Sequence, residues 1–255
     1  MVTWARQRQF SYIFGILAFL AVLSLIIFMV YQPRPTCFDN KQNQDEKGVD
    51  CGGVCVKACA SQVRELKIYW ARPLKVALGW YDLSALVENL NQNLGAREVN
   101  YTFSLYDTNN VLITKRTGTT YVNPGEKFAI FESRIETGAR EAQKAFLEFS
   151  SPLVWEKAVT MPKNIYLEKR DFVNTPKPEL HYTVTNGGLK QVKNLQITVV
   201  LSDINGNSFA VSATKIDSLE PNAKQEIYFT WPTPFVENPT YVDTYWRLNT
   251  FEIAN

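Results

Sequence analysis

Histidine is almost missing from this chain, since His181 is the only one among 255 residues. A single histidine excludes metal sites built on histidine pairs and weakens any scheme in which histidine activates a serine or cysteine nucleophile. The sequence also lacks a nucleophile elbow, a phosphate-binding loop and a metalloprotease helix. We therefore expect a protein that is not an enzyme and that holds no organic cofactor.

An excess of basic residues is lacking as well. The chain has 27 Lys and Arg against 25 Asp and Glu. The first two arginines, Arg6 and Arg8, precede an apolar run, and without them the two signs of charge balance. Binding to nucleic acid depends on clustered basic side chains that neutralise phosphates. We therefore expect no nucleic-acid partner.

Charge is absent altogether between residues 9 and 33, and the core of this run, Phe10–Tyr31, reads FSYIFGILAFLAVLSLIIFMVY. At ~1.5 Å per residue a helix of this length crosses a ~30 Å hydrocarbon layer. A cleavable signal peptide is the alternative, but its apolar region is shorter and ends at a small-x-small cleavage site. The pattern therefore predicts an uncleaved transmembrane signal anchor over residues 10–31.

The orientation of this anchor follows from the charges that flank it. Arg6 and Arg8 lie before the run and no acidic residue precedes it. Basic residues are retained on the cytoplasmic side of a membrane span. We predict that residues 1–9 are cytoplasmic and that everything after residue 31 is extracytoplasmic, in a single-pass protein of the cell membrane.

Long helical periodicity is missing from the remainder of the chain. Aromatic residues make up 13% of the sequence, and Thr and Val are frequent, which favours β-sheet. Short strands separated by turn residues are typical of antiparallel sandwiches of immunoglobulin type. The fold class is therefore mainly β.

One strand pattern occurs twice. Val99–Tyr106 alternates apolar with polar residues, and Leu195–Ser202 repeats that alternation. Alternation predicts one face in the core and one in solvent. Each strand ends at an aspartate, Asp107 or Asp203. The residues that follow tolerate the positive φ of tight turns and are Asn109 and Asn110 in the first copy, and Asn205 and Gly206 in the second.

The repeat extends in both directions. Val87-Glu88-Asn89 matches Val184-Thr185-Asn186, and Pro124-Gly125-Glu126 matches Pro221-Asn222-Ala223. The sequence therefore predicts two tandem immunoglobulin-like β-sandwiches. Their predicted spans are residues 62–161 and 162–255. Because the linker near Pro162 is short, we expect a semi-rigid rod.

The first copy resembles a known family. Phe103-Ser104-Leu105-Tyr106-Asp107 spells the signature of the FxLYD domains, which are similar to bacterial cell-adhesion-related β-sandwich domains. In the second copy the signature degrades to Val199-Val200-Leu201-Ser202-Asp203. The resemblance implies an extracytoplasmic accessory or adhesion module without enzymatic activity.

All four cysteines lie in one acidic segment, predicted to span residues 32–61. They are Cys37, Cys51, Cys55 and Cys59. Zinc ligands usually occur as two closely spaced pairs, and the wide first gap breaks that pattern. An even number of cysteines outside the cytoplasm favours disulfides. Four cysteines allow three connectivities, and the spacing does not choose among them.

Oxygen-bearing side chains crowd the same segment. Asp39, Asn43, Glu46 and Asp50 supply the type of ligand that Ca²⁺ prefers. The segment resembles a cysteine-rich repeat of secreted proteins, C-x-D-G-x2-N-x2-E-x-G-x-D-C-G-G-x-C, with Asn40 where Gly is usual. Asn is a suitable replacement at a positive φ. The segment predicts a Ca²⁺ site; the alternative is that these acids only solvate a loop without a core.

Two other features have ordinary structural interpretations. Alternation along the strand places Leu180, Tyr182 and Val184 in the core and turns His181 outward, as an exposed strand histidine. The aromatic and Pro-rich stretch Trp231–Tyr241 is expected to be a long connection that packs its aromatic side chains on the end of the sandwich.

Together these patterns predict a non-catalytic, membrane-anchored extracytoplasmic protein for binding, adhesion or scaffolding. The expected partners are the membrane and a further protein or surface partner, and the oligomeric state is open. The alternative is a structural subunit of a cell-envelope assembly, such as a secretion, pilus or division complex.

Overall fold

The computed structural model describes residues 4–31 and 35–253. Outside these ranges lie residues 1–3 of the predicted cytoplasmic N-terminus, 32–34 of the predicted disulfide-rich segment and 254–255 of the predicted second sandwich. The chain forms two compact units, Met1–Cys55 and Val56–Asn255. The fold class is confirmed: the chain is mainly β, with an N-terminal apolar helix, a short disulfide-rich segment and two β-sandwiches.

In the first unit, helix α1 spans Trp4–Tyr31 and so begins before the predicted start at Phe10. From Phe10 to Tyr31 it has apolar residues on all sides. Its most apolar 18-residue stretch, within Arg6–Tyr31, has a mean hydropathy of 3.0, and the helix is long enough to cross a membrane. Length and composition alone leave a membrane span or a signal sequence as the two interpretations of this helix. The helix is followed by the knob, residues 35–55, which contains the first three cysteines.

The first sandwich consists of two antiparallel sheets in the orders β1-β2-β5 and β4-β3-β6. The strands are β1 (Lys67–Ala77), β2 (Trp80–Glu88), β3 (Leu94–Asp107), β4 (Leu112–Val122), β5 (Lys127–Glu136) and β6 (Ala142–Phe149). A two-residue strand, β7 (Glu156–Lys157), pairs with the start of β3.

The second sandwich repeats this strand order as β8-β9-β12 and β11-β10-β13. Its strands are β8 (Ile165–Val173), β9 (Glu179–Asn186), β10 (Val192–Ser202), β11 (Ser208–Leu219), β12 (Lys224–Thr230) and β13 (Tyr241–Arg247). A one-turn helix, α2 (Thr250–Ile253), follows. Each sandwich has its own hydrophobic core.

The matched loop residues hold equivalent positions in the two copies. Asn89 and Asn186 are both buried, and each donates its side-chain amide to backbone carbonyls of two neighbouring loops. Gly125 and Asn222 both have positive φ, 60° and 61°, in the predicted turns. The sequence repeat is therefore a structural repeat.

The signature strand also has a physical explanation. Phe103 and Leu105 are fully buried. Asp107 accepts the backbone N–H groups of Asn109 and Val111, which closes the β3–β4 turn. Asp203 closes the β10–β11 turn in the same way, with the N–H groups of Asn205 and Asn207.

The two sandwiches pack side by side. Leu74 and Ala129 from the first sandwich form a hydrophobic cluster with Val200 and Val211 from the second. The prediction of a solvent-exposed second face is therefore wrong for β10, where Val200 points away from its own core and is buried by the neighbouring sandwich. The semi-rigid arrangement is predicted from the short linker alone. The structure adds an apolar cluster that joins the two sandwiches.

Candidate functional site

The most strongly bonded contact between the sandwiches is an ion pair between Arg247, at the end of β13, and Glu126, in the β4–β5 turn. Arg247 donates Nε to Glu126 Oε1 at 2.8 Å and Nη2 to Oε2 at 3.1 Å. Its Nη1 donates to Thr120 Oγ1 at 3.0 Å, and its Nη2 also donates to the carbonyl of Tyr121 at 2.6 Å. The two charged side chains are only 5% and 1% exposed. We call this pair the clamp.

Two aromatic rings enclose the guanidinium. Its Cζ lies 4.2 Å from the ring centroid of Tyr121 and 4.0 Å from that of Phe128. Cation–π contacts of this type gain strength when the cation is desolvated. Burial raises the pKa of the Tyr121 hydroxyl to about 12. The phenol is thus neutral at physiological pH, and the charge of the clamp is balanced by Glu126.

Beside the clamp, Asn123 of the first sandwich forms hydrogen bonds with the segment that follows β13. Its Nδ2 donates to the carbonyl of Leu248 at 2.9 Å. Its Oδ1 accepts both the backbone N–H and the hydroxyl of Thr250, at 3.1 and 2.9 Å. Asn123 is fully buried, so these bonds satisfy groups that water does not reach.

Next to the clamp a cleft of about 410 Å³ separates the sandwiches. Threonine hydroxyls from β4, β10 and β11 line it together with Tyr101. The Tyr101 hydroxyl donates to Glu132 Oε1 at 2.8 Å, and Arg116 donates to the other oxygen of that carboxylate at 2.9 Å. Burial, followed by this hydrogen bond to Glu132, raises the pKa of Tyr101. The charged groups here are paired with each other.

At the opposite end of the sandwiches, loops of both domains meet. Thr233, in the β12–β13 connection, donates its hydroxyl to the carbonyl of Val76 at the end of β1 at 3.4 Å. A groove of about 350 Å³ lies there between Trp80 and Pro232. Leu78, at the tip of the β1–β2 hairpin, is 89% exposed. We call this region the hairpin end.

The groove is apolar, with a single pair of charges at its margin. Ala77, Trp80 and Pro232 supply its walls, and Asp82 and Arg134 line it too. Asp82 accepts the backbone N–H of Arg134 at 3.1 Å, and burial raises the pKa of its carboxyl. Because its walls come from both sandwiches, this surface depends on their relative placement.

The aromatic stretch Trp231–Tyr241 packs on the end of its sandwich, as predicted. Phe235 contacts the rings of Phe172, Phe209 and Trp231. The indole of Trp231 donates to the carbonyl of Val211 at 3.1 Å. The tip of the connection is left outside, since Val236 is fully exposed.

His181 does point outward, but it is not the exposed side chain that the sequence predicts. Its ring stacks on Tyr228 at 4.5 Å, and its side chain is 23% exposed. Nδ1 lies 3.4 Å from Asp171, and Nε2 contacts Glu226. A hydrogen bond from Thr183, then one from His181, lowers the pKa of Glu226. Charged side chains from the two neighbouring strands cover this face. Alternation along the strand of His181 does not reveal them, because they depend on which strands pair.

The cysteine segment is oxidised. Cys37 is bonded to Cys55, with their Cα atoms 5.7 Å apart, and Cys51 and Cys59 are likewise disulfide-bonded. A carboxylate oxygen of Glu46 lies within 4.8 Å of the sulfurs of Cys37 and Cys55. Because these sulfurs are joined to each other, they are not thiolate ligands for zinc. The disulfides are confirmed.

The four predicted calcium ligands lie in one hydrogen-bond network. Asp50 accepts the backbone N–H groups of Asp39 and Asn40 through its two carboxylate oxygens, at 3.0 and 2.9 Å. Asn43 donates its amide to Asp39 at 2.9 Å, and this bond is the largest cause that lowers the pKa of Asp39. Glu46 accepts the N–H groups of Asn43 and Asp50. Asn40 has φ 57°, which fits the glycine position in the resembled repeat.

One acceptor in this network is left over. Within the described residues, Asn43 Oδ1 is a buried oxygen without a hydrogen-bond partner. Such an acceptor costs free energy unless a donor or a cation satisfies it. The carboxylates, by contrast, already accept hydrogen bonds from backbone N–H groups. These bonds explain why acidic residues occur in the knob even if no ion binds there. The calcium site therefore stays a prediction.

The sequence did not identify the clamp. In the sequence, Glu126 is notable only as part of a repeated turn, and Arg247 belongs to no motif or repeat. The signal that was present is the mismatch between the copies, because Glu126 aligns with Ala223. A charged residue in one copy where the other has alanine marks a position with a partner outside its own domain.

No protein-family model matches the chain, and no curated protein matches it either. Among solved structures, the crystal structure of red sea bream transglutaminase is similar at 14% sequence identity and a TM-score of 0.21, over 71% of this chain. The chain spans 29% of the length of that transglutaminase. A likeness at this level says nothing about activity.

Proposed function

We propose that this protein is a non-catalytic binding or scaffolding module, anchored by α1 with both sandwiches outside the cytoplasm, and that its partner binds at the hairpin end. The observation that carries this proposal is the buried clamp between Arg247 and Glu126. A buried, fully bonded ion pair is costly to separate. The clamp therefore holds two domains in one arrangement and presents their loops as a single surface.

Preorganisation is what such a clamp contributes to binding. A surface assembled from two mobile domains loses affinity, because ordering them costs free energy when the partner binds. With the domains already fixed, the groove between Trp80 and Pro232 has its walls in place. Its apolar lining and the exposed Leu78 beside it suit an apolar side chain of a protein partner.

The anchor and the resemblance to FxLYD domains agree with this role. Arg6 and Arg8 before α1 favour a cytoplasmic N-terminus. Disulfides form and persist in oxidising compartments outside the cytoplasm. The F-x-L-Y-D strand of the first sandwich supports an accessory or adhesion module. These points support the proposed topology and class, and the clamp supports the proposed surface.

Site-specific photocrosslinking in intact cells tests the proposal. A crosslinking amino acid replaces Leu78 at the hairpin end, and in the control it replaces Leu189, a loop leucine of the second sandwich that is equally exposed. We expect a defined adduct from position 78 that is absent from position 189 and that Trp80→Ala weakens. Equal labelling from both positions would contradict the proposed surface. If all of the protein is crosslinked to the same fixed set of proteins, the result would favour the alternative that the chain is a structural subunit of an assembly.

A second candidate function is calcium binding by the knob, which the orphaned oxygen of Asn43 favours. We propose that Asp39, Asn43, Glu46 and Asp50 are the ligands. Hard Ca²⁺ takes oxygen ligands of these types. The experiment that tests this is described among the predictions below.

A further inference from the structure

The knob turns three of its acids toward its own backbone and leaves its large apolar side chains exposed. Asp39, Glu46 and Asp50 accept hydrogen bonds from the knob's own backbone, and Glu46 is 6% exposed. The large apolar side chains Phe38, Val49 and Val54 are 88%, 55% and 57% exposed. This is the reverse of an ordinary soluble module, in which such side chains are buried where possible.

The cross-links of the knob bring these three apolar residues together. Phe38 lies between Cys37, which is bonded to Cys55, and Asp39, whose N–H donates to Asp50. The residue before Cys55 is Val54, and the residue before Asp50 is Val49. Val54 thus precedes the cysteine that is bonded to Cys37, and Val49 precedes the aspartate that accepts the N–H of Asp39. Cys37 and Asp39 are the two residues that flank Phe38. The disulfide and the hydrogen bond thus hold these three residues near one another in the knob, and we call the three exposed side chains the apolar patch.

The position of the patch along the chain indicates what covers it. Cys37 follows Tyr31, the end of α1, by six residues. A chain extends at most ~3.3–3.6 Å per residue, so Cys37 lies within roughly 20 Å of the helix end. The polar headgroup layer begins where the hydrocarbon core ends. The tether therefore keeps the knob beside that layer in any protein that α1 anchors.

Two lysines of the knob are free to reach lipid phosphates. Lys41 and Lys47 are exposed, as is Asp45, whereas Asp39 and Asp50 are half-buried acceptors of backbone N–H groups. Lysine side chains reach the phosphates while neighbouring apolar groups enter the boundary with the acyl chains. We infer that Phe38, Val49 and Val54 dock the knob on the headgroup layer of the membrane that α1 spans.

This inference rests on the proposed anchoring, and photocrosslinking to lipid separates the two. The full chain is reconstituted in phosphatidylcholine nanodiscs with benzoylphenylalanine in place of Phe38, of Phe19 in α1, or of Leu189. Mass spectrometry then detects lipid adducts and shows whether both disulfides are intact. We expect adducts at 38 and 19 and none at 189.

Adducts at 19 without adducts at 38 would overturn the docking of the knob and leave the anchor standing. The absence of adducts at 19 would overturn both. Equal adducts at 189 would show that lipid contact is not specific to the knob, which also contradicts the inference.

Discussion

Arg247 and Glu126 are 121 residues apart in the sequence, yet Nε of the first donates to Oε1 of the second at 2.8 Å in a buried site. The pair joins the last strand of one sandwich to a turn of the other. It closes one end of an interface whose centre is apolar and whose other end is the groove beside Trp80.

Removing one partner of the clamp should destabilise the protein strongly. Arg247→Met leaves the Glu126 carboxylate buried without its cation, and such a loss costs about 3–5 kcal/mol. Replacing both partners, with Glu126→Leu added to Arg247→Met, should recover much of that loss, because well-packed apolar pairs often equal buried ion pairs. Chemical denaturation of the full chain in nanodiscs measures both variants. A double variant no better than Arg247→Met would argue against this account of the pair.

Asn89 and Asn186 should be equally sensitive to substitution, since they have the same role in the two copies. Asn186 donates to the carbonyls of Lys190, Leu219 and Glu220 and accepts the N–H of Gly188. Alanine at either position leaves buried groups unpaired, at roughly 1–3 kcal/mol. Asn205→Ala, in an exposed turn, is the control and should change the free energy of unfolding by less than about 0.5 kcal/mol.

The two repeated turns should differ in their response to an arginine substitution. The Arg140 guanidinium, the largest cause, holds the pKa of Asp107 below its ordinary value. The N–H of Asn207 is the main cause that lowers the pKa of Asp203. Arg140→Gln should therefore raise the pKa of Asp107 and leave that of Asp203 unchanged. NMR titration of the two carboxyl groups measures this difference.

The sign of the effect on stability follows from the direction of the shift. A carboxyl whose folded-state pKa lies below its unfolded value stabilises the protein above the unfolded pKa, near 3.9. That contribution is lost as the pH falls through the folded pKa. Arg140→Gln should therefore weaken the acid dependence of unfolding below about pH 4. An unchanged acid limb would show that the Asp107 contact contributes nothing to stability.

Calcium, if it binds the knob, should need the oxidised network. We expect heat on titration of the full chain with millimolar Ca²⁺, and its loss in Asp50→Asn and after reduction of the disulfides. Asp45→Asn is the matched control, because Asp45 is exposed and lies outside the network. No heat from the natural sequence would leave the knob as a hydrogen-bonded disulfide module.

Much of the fold could be predicted because local patterns determine it. Phe103 and Leu105 alternate with polar residues, so the strand and its core face follow from the pleat. Asn40 at φ 57° fits the glycine position of the repeat that it resembles. In such cases the information lies within a few residues of the feature.

The interface between the sandwiches could not be predicted in that way. It depends on pairs that are distant in the chain, such as Val200 with Leu74. One local sign was present, since the run from Thr198 to Leu201 is too apolar for a strand with a wet face. The contacts of the half-buried His181 with Asp171 and Glu226 also depend on strand pairing, which alternation along one strand does not specify.

We expect the clamp to hold both domains in one arrangement and so to preorganise the hairpin end. A pulsed electron–electron distance measurement tests it most directly, with spin labels on ketone amino acids at Leu78 in the first sandwich and Val236 in the second. We expect one narrow distance distribution in the natural sequence and a broader one in Arg247→Met. A broad distribution in the natural sequence, or one that Arg247→Met leaves unchanged, would contradict it.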